Sequence, residues 1–138
     1  MIQKCTTALF LMLSFGVKAQ YNNKLAVEEL LQSEVNSMGQ KIIYPEVKDA
    51  KVTMKKITFP PGETTGWHKH NIPVFSYIIK GTLTVETEDG KVMQYKENTC
   101  FSESYNIYHK GTNKENTDLV VIAIYLGGDA RELSIKKE

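Results

Sequence analysis

From residue 52 to residue 126 the chain is a series of short β-prone runs, each cut off by residues that cannot continue a strand. Residues 52–59 (VTMKKITF) end at Pro60-Pro61-Gly62, where two successive prolines remove ladder donors. Residues 65–69 lead through His68, Pro73 breaks the run, and residues 74–79 (VFSYII) resume it before Lys80-Gly81 turns the chain. Residues 82–87 (TLTVET) and 91–95 (KVMQY) flank Glu88-Asp89-Gly90, a hairpin signal because Asp-Gly tolerates positive φ. After a turn at residues 96–98, a strand is expected at 99–103, then a loop through Asn106 to His109 and polar turn material at 113–116. Residues 119–126 (LVVIAIYL) form an unbroken apolar run, the pattern of a strand covered on both faces. Turn signals roughly eight to twelve residues apart predict an all-β sandwich or barrel.

The flanks read differently. Residues 1–19 combine Lys4, an apolar stretch at 6–17 (TTALFLMLSFGV) and Val17-Lys18-Ala19, the layout of a secretory signal peptide cleaved after Ala19. The apolar stretch is too short to span a bilayer comfortably. Export to the periplasm or outside the cell is therefore expected, with no membrane insertion after cleavage. Residues 20–45 form an N-terminal extension. Within it, Val27, Leu30, Leu31, Val35 and Met38 follow helical spacing, while residues 29–34 also suit an edge strand. Residues 46–127 form the β-domain, and 128–138 form a polar tail expected to be loosely held.

Charge excludes some functions. The chain has 17 basic and 16 acidic residues, net +1, and cleavage after Ala19 removes Lys4 and Lys18 and no acid, leaving one net negative charge. That balance does not support nucleic-acid or anionic-membrane binding. Cleavage also removes Cys5, so Cys100 has no cysteine partner within the mature chain. No Ser-His-Asp or Cys-His arrangement can be built without a histidine from the cluster discussed next. Gly127-Gly128 lacks the Lys and Ser/Thr of a phosphate loop.

The chain has three histidines, His68, His70 and His109. His-x-His on a strand points both rings to one face, and neutral imidazole is a common metal ligand. Three separately satisfied histidines are the plainer alternative. Gly62-x5-His68-x-His70, then Gly81, then His109-x3-Asn113 resembles the two motifs of the cupin superfamily, G-x5-H-x-H-x3/4-E-x6-G and a second motif ending H-x3-N. The resemblance covers about residues 50–127. It implies a cupin-type antiparallel β-barrel, or jelly roll (double-stranded β-helix), holding a divalent transition metal (Fe, Ni, Cu, Zn or Mn) through His68, His70 and His109.

The sequence departs from that pattern at several positions. Val74 stands in the glutamate slot, Ser104 and Asn106 stand in the proline and glycine slots before His109, and Glu97-Asn98 replaces the usual Gly-Asp turn. Without a carboxylate at position 74 the ion carries one more positive charge, which favours an anionic substrate or a bound hydroxide. Glu103, six residues before His109, is the candidate fourth ligand or outer partner. A solvated surface glutamate is its plainer reading, and as an outer partner its loss should cost roughly ten- to hundredfold in metal affinity. Strand parity groups Ser76 and Ile78 with Val74 as pocket residues, and Tyr105 and Tyr108 flank the third histidine at the mouth.

The resemblance implies three functional classes: an iron-dependent dioxygenase of a small organic molecule, an oxygen-independent isomerase or lyase, and a non-catalytic ligand- or metal-binding module. It also implies an N-terminal strand that pairs at the sheet edge or across a homodimer.

Overall fold

The structure, a computed structural model, describes residues 24–138. The segment read as a signal peptide lies outside them. The described strands are β1 (Ala50–Phe59), β2 (His68–Lys69), β3 (Val74–Lys80), β4 (Thr82–Thr87), β5 (Val92–Lys96), β6 (Cys100–Ser102), β7 (His109–Asn113), β8 (Leu119–Gly128) and β9 (Ile135–Lys136). They form two antiparallel sheets, one ordered β1-β8-β3-β6 and the other β5-β4-β7-β2-β9. This all-β, two-sheet arrangement is the jelly roll. No helix among the described residues is long and apolar enough to cross a membrane.

The strand breaks follow from local chemistry. Gly62 and Gly81 adopt φ of +80° and +83°, which disfavours residues with a Cβ. At Gly81 a Cβ would also press within 3.2 Å of the Leu119 backbone. The Asp89-Gly90 hairpin closes with Thr87 N donating to Lys91 O at 3.0 Å. Asn98 and Asn106 take φ of +64° and +55° at the two irregular turns that flank β6, where asparagine tolerates the left-handed region.

The core lies between the sheets. Phe59, Ile78, Leu83, Val85, Phe101, Leu119 and Val121 form one buried cluster, and Ile72, Val74, Ala123 and Tyr125 form a second. Leu119 is wholly buried, worth about 2 kcal/mol in side-chain transfer alone.

Four expectations are corrected. Strand β8 is not covered on both faces: Leu119, Val121, Ala123 and Tyr125 are buried, while the intervening residues are half-buried. Continuous hydrophobicity hid an ordinary alternation. His109 begins a strand rather than ending a loop, because β4 supplies a full ladder from Leu83↔Asn113 to Thr87↔His109. Residues 29–34 are neither helix nor strand. Among the described residues they pair with no sheet, and Leu25, Val27, Leu30 and Leu31 stay exposed. The tail is not loose: β9 pairs with β2 through His68↔Lys136 and Lys69↔Ile135.

The latter part of the N-terminal extension is fastened to the sheets. A loop over residues 33–42 closes with Val35 bridging Lys41. Ser37 N donates to Ser102 O at 2.9 Å, and the Gln40 amide both donates to Tyr105 O and accepts from Tyr105 N. The loop thereby covers one end of the sandwich beside β6.

Candidate metal centre

The register of β2, β6 and β7 brings four side chains to one point. His68 on β2 lies directly opposite His109 on β7, with ring centroids 4.5 Å apart. His70, just beyond β2, points to the same face, with centroids 4.9 Å from His68 and 5.2 Å from His109. Glu103 follows β6. Its Oε2 lies 3.1 Å from His70 Nε2 and 3.2 Å from His109 Nε2. One ligand atom from each of His68, His70, Glu103 and His109 lies within 4.8 Å of the others.

Each imidazole is oriented from behind by a main-chain carbonyl. His68 Nδ1 faces Gly66 O at 3.0 Å, His70 Nδ1 faces Leu133 O at 2.6 Å, and His109 Nδ1 faces Ile107 O at 3.0 Å. Ser104 Oγ also lies 3.0 Å from His109 Nδ1. A carbonyl can only accept, so each Nδ1 carries the hydrogen and each neutral ring turns an Nε2 lone pair toward the others. For His70 and His109 that lone pair faces a carboxylate oxygen. Two acceptors at this distance repel unless a proton or a cation lies between them. The donor set, three nitrogens and one carboxylate oxygen with carbonyls behind the rings, fits a divalent transition metal.

Without a cation, a proton fills that gap. Burial pushes the Glu103 carboxyl up, but hydrogen bonds and charge from His109 and His70 outweigh it and hold the group well below the usual range. Burial lowers His109, yet the Glu103 hydrogen bond and charge and the Ile107 carbonyl win, so it is raised. His68 falls to about 4, first through burial and then through its two histidine neighbours, against the Gly66 carbonyl and Glu103. It is thus a neutral donor at physiological pH.

Beside the cluster is a small cavity of about 60 Å³. Ile57, Phe59, Leu83, Val85, Phe101 and Val121 form much of its wall, with hydroxyls from Ser37, Thr65, Ser76 and Tyr125. Among the described residues the wall contains no lysine or arginine. The Tyr125 phenol is pushed up to about 12 by burial and by the Glu103 charge, so it stays protonated.

The structure places His68, His70, His109 and Glu103 together, with Ser76 on the cavity wall. The other pocket expectations are corrected. Val74 points to the predicted face but is covered by its cluster with Ile72, Ala123 and Tyr125. Ile78 is fully buried in the main core. Tyr105 is not part of the cavity wall, and its backbone is paired with the Gln40 amide. Tyr108 faces outward, with Lys69 and Lys137 over its ring at 4.8 and 5.0 Å. Parity sets the face of a side chain but not its depth in the sandwich.

The charge argument drawn from Val74 also reverses. Phe75 pairs with Ser102, so Val74 stands across from Glu103, whose N donates to Val74 O at 2.8 Å. The carboxylate missing from β3 arrives from the neighbouring strand. Sequence reasoning missed the roles of Gly66, Ser104, Ile107 and Leu133. Three of these act through a carbonyl, which every residue carries, so no residue type signals them. Asn113, in contrast, has a structural role: its wholly buried amide donates to Phe59 O and Thr117 O, both at 2.8 Å.

A two-sheet jelly roll with three inward histidines and a carboxylate at one end of its cavity is a β-sandwich with a candidate metal site. A family profile for the cupin domain matches residues 55–125, and the chain belongs to the cupins. Among curated protein sequences there is no significant match. Several solved structures are similar. The DMSP lyase DddQ from Ruegeria pomeroyi DSS-3 is 13% identical at a TM-score of 0.53, over 62% of this chain and 43% of the lyase. A cupin-like protein from Thermotoga maritima MSB8 is 20% identical at 0.50, over 54% of this chain and 56% of its own. A cupin domain from Bordetella pertussis Tohama I is 27% identical at 0.47, over 61% and 88%. The chain therefore matches less than half the length of the lyase.

Proposed function

We propose that this protein is an exported cupin that holds a divalent transition metal through His68, His70, Glu103 and His109 and uses it to oxidise a small, largely apolar organic substrate with dioxygen. The pairing of His70 and His109 Nε2 with Glu103 Oε2, with His68 beside them and every Nδ1 tied to a carbonyl, carries the metal reading. A bound ion would supply Lewis acidity and, if iron, manganese, copper or nickel, redox chemistry; zinc would supply only the former.

The rest of the cavity supports the reaction class. Tyr125 stays protonated, and the Ser76 hydroxyl is committed to Glu103. Outside the cluster the wall therefore has no side chain suited to accept a proton at neutral pH. It binds and orients an apolar body and excludes water. Charge narrows the substrate further. A divalent ion beside one carboxylate leaves one net positive charge, and the wall adds none. A neutral or singly anionic ligand is matched, whereas a dianion would keep an unpaired buried charge.

Export rests on the N-terminal apolar segment, and a homodimer belongs to the same reading. Val52 and Met54 are exposed on β1, an edge strand, and Leu25, Val27, Leu30 and Leu31 are exposed on the extension. Joining them across a two-fold axis would cover both. A sedimentation mass equal to one mature chain would contradict the dimer.

Elemental analysis of protein from its native compartment tests the metal, together with oxygen uptake over a panel of thiols, diketones and flavonols. A redox-active metal, lost in His109→Ala, and substrate-dependent uptake are expected. Zinc alone with no uptake across the panel would overturn the oxidase reading. Full metal retention in His109→Ala would overturn the ligand set.

A further inference from the structure

The two oxygens of Glu103 have different partners. Oε2 faces His70 and His109. Oε1 accepts a 2.6 Å hydrogen bond from Ser76 Oγ, a length expected of a hydroxyl bound to an ionised carboxylate. Ser76 is 2% exposed on β3, two residues beyond Val74 on the same face. It therefore occupies the strand from which the motif's carboxylate would come and reaches the carboxylate that comes from beside β6 instead.

We propose that Ser76 is a positioning residue that restricts Glu103 to a single oxygen toward the metal and so keeps coordination positions open for two-point binding of a substrate. The inference rests on the metal reading above. A carboxylate from β6 has the freedom of a glutamate chain and two equivalent oxygens. Left alone, it would present both to a cation, as carboxylates commonly do in hard-ion sites. Binding one oxygen to a buried hydroxyl removes that option, because swinging Oε1 inward would leave the Ser76 donor unsatisfied in an apolar setting. Three nitrogens and one oxygen would then leave two positions free on an ion that takes six ligands. The carbonyls behind the histidines fix which nitrogen is presented. Ser76 fixes how many oxygens are.

The test uses the full mature chain loaded with cobalt(II), whose visible spectrum reports coordination, and two anionic probes. Azide needs one position, and acetohydroxamate needs two. In Ser76→Ala, metal content should hold and the cobalt spectrum should shift. Acetohydroxamate should bind roughly tenfold more weakly, the scale typical of losing a hydrogen-bonded partner of a ligand. Azide binding should change by less than about threefold, well inside that scale. Ser76→Thr keeps the hydroxyl and should restore acetohydroxamate affinity. A purely structural role for Ser76 would lower melting temperature and metal content together and leave the ratio of the two probe affinities unchanged. An unchanged ratio in metal-replete Ser76→Ala overturns the proposal. So does loss of metal from a folded Ser76→Ala protein, since Ser76 would then sustain the ligand set rather than limit it. Failure of the wild-type chain to bind cobalt would instead refute the metal reading itself.

Discussion

Replacing Glu103 by glutamine keeps the size of the side chain and removes its charge. On sequence alone a contribution of roughly ten- to hundredfold was expected, the scale of an outer partner. The structure raises that figure. Oε2 lies within 3.2 Å of two ligand nitrogens, and the side chain is only 15% exposed, so the charge acts in a partly buried medium. At an effective dielectric of about 20, unit charges roughly 4 Å apart attract by about 4 kcal/mol. A divalent ion doubles this, while desolvation and the surviving amide oxygen offset about half. A net loss of about 3–4 kcal/mol corresponds to a hundred- to thousandfold weaker binding. Competition with a chromophoric chelator at pH 7.5 gives the affinity, and melting of the metal-free protein confirms that the variant folds. Affinity within threefold of the wild type, with the fold intact, would refute the placement of Glu103 among the ligands.

Other outcomes follow from the same geometry. Folding raises the His109 pKa above its ordinary 6.5, so its pairing with Glu103 stabilises the metal-free protein fully below that pH and is lost as pH rises through the folded value. Metal competes with that proton, so the melting-temperature gain on adding metal should be larger at pH 8 than at pH 6; a gain that shrinks with pH would contradict the pairing. Removing residues 133–138 takes away β9 and the carbonyl behind His70. Metal affinity should fall roughly ten- to hundredfold in protein that still melts cooperatively, as measured by chelator competition. Leu119→Ala should cost about 2–5 kcal/mol in urea unfolding, because the residue is wholly buried on the strand paired with both β1 and β3.

Much of the fold was legible locally. Two prolines, the Asp89-Gly90 hairpin and the β-branched runs mark strand ends because they act through the φ preferences and donors of single residues. The strand at His109–Asn113 was not legible, since its sequence HKGTN has little strand character and is held by the ladder from β4. The N-terminal extension defeated periodicity for the opposite reason: helical spacing is present, but among the described residues that apolar stripe stays largely exposed.

At the metal centre the same division holds. His68-x-His70 follows from strand alternation, and the distal His109 was named by its motif, so the three imidazoles could be proposed without coordinates. Glu103 could be suspected but not placed, because a carboxylate six residues before a histidine has no fixed direction. Its position depends on Phe75 pairing with Ser102, a register between strands 27 residues apart in the chain. The Leu133 carbonyl reaches His70 from 63 residues away. Sequence by itself determined the three histidines and the strand that leads through His68, since these depend on local spacing. Only the tertiary structure decided the charge of the site and the orientation of its ligands, since these depend on which strands lie side by side.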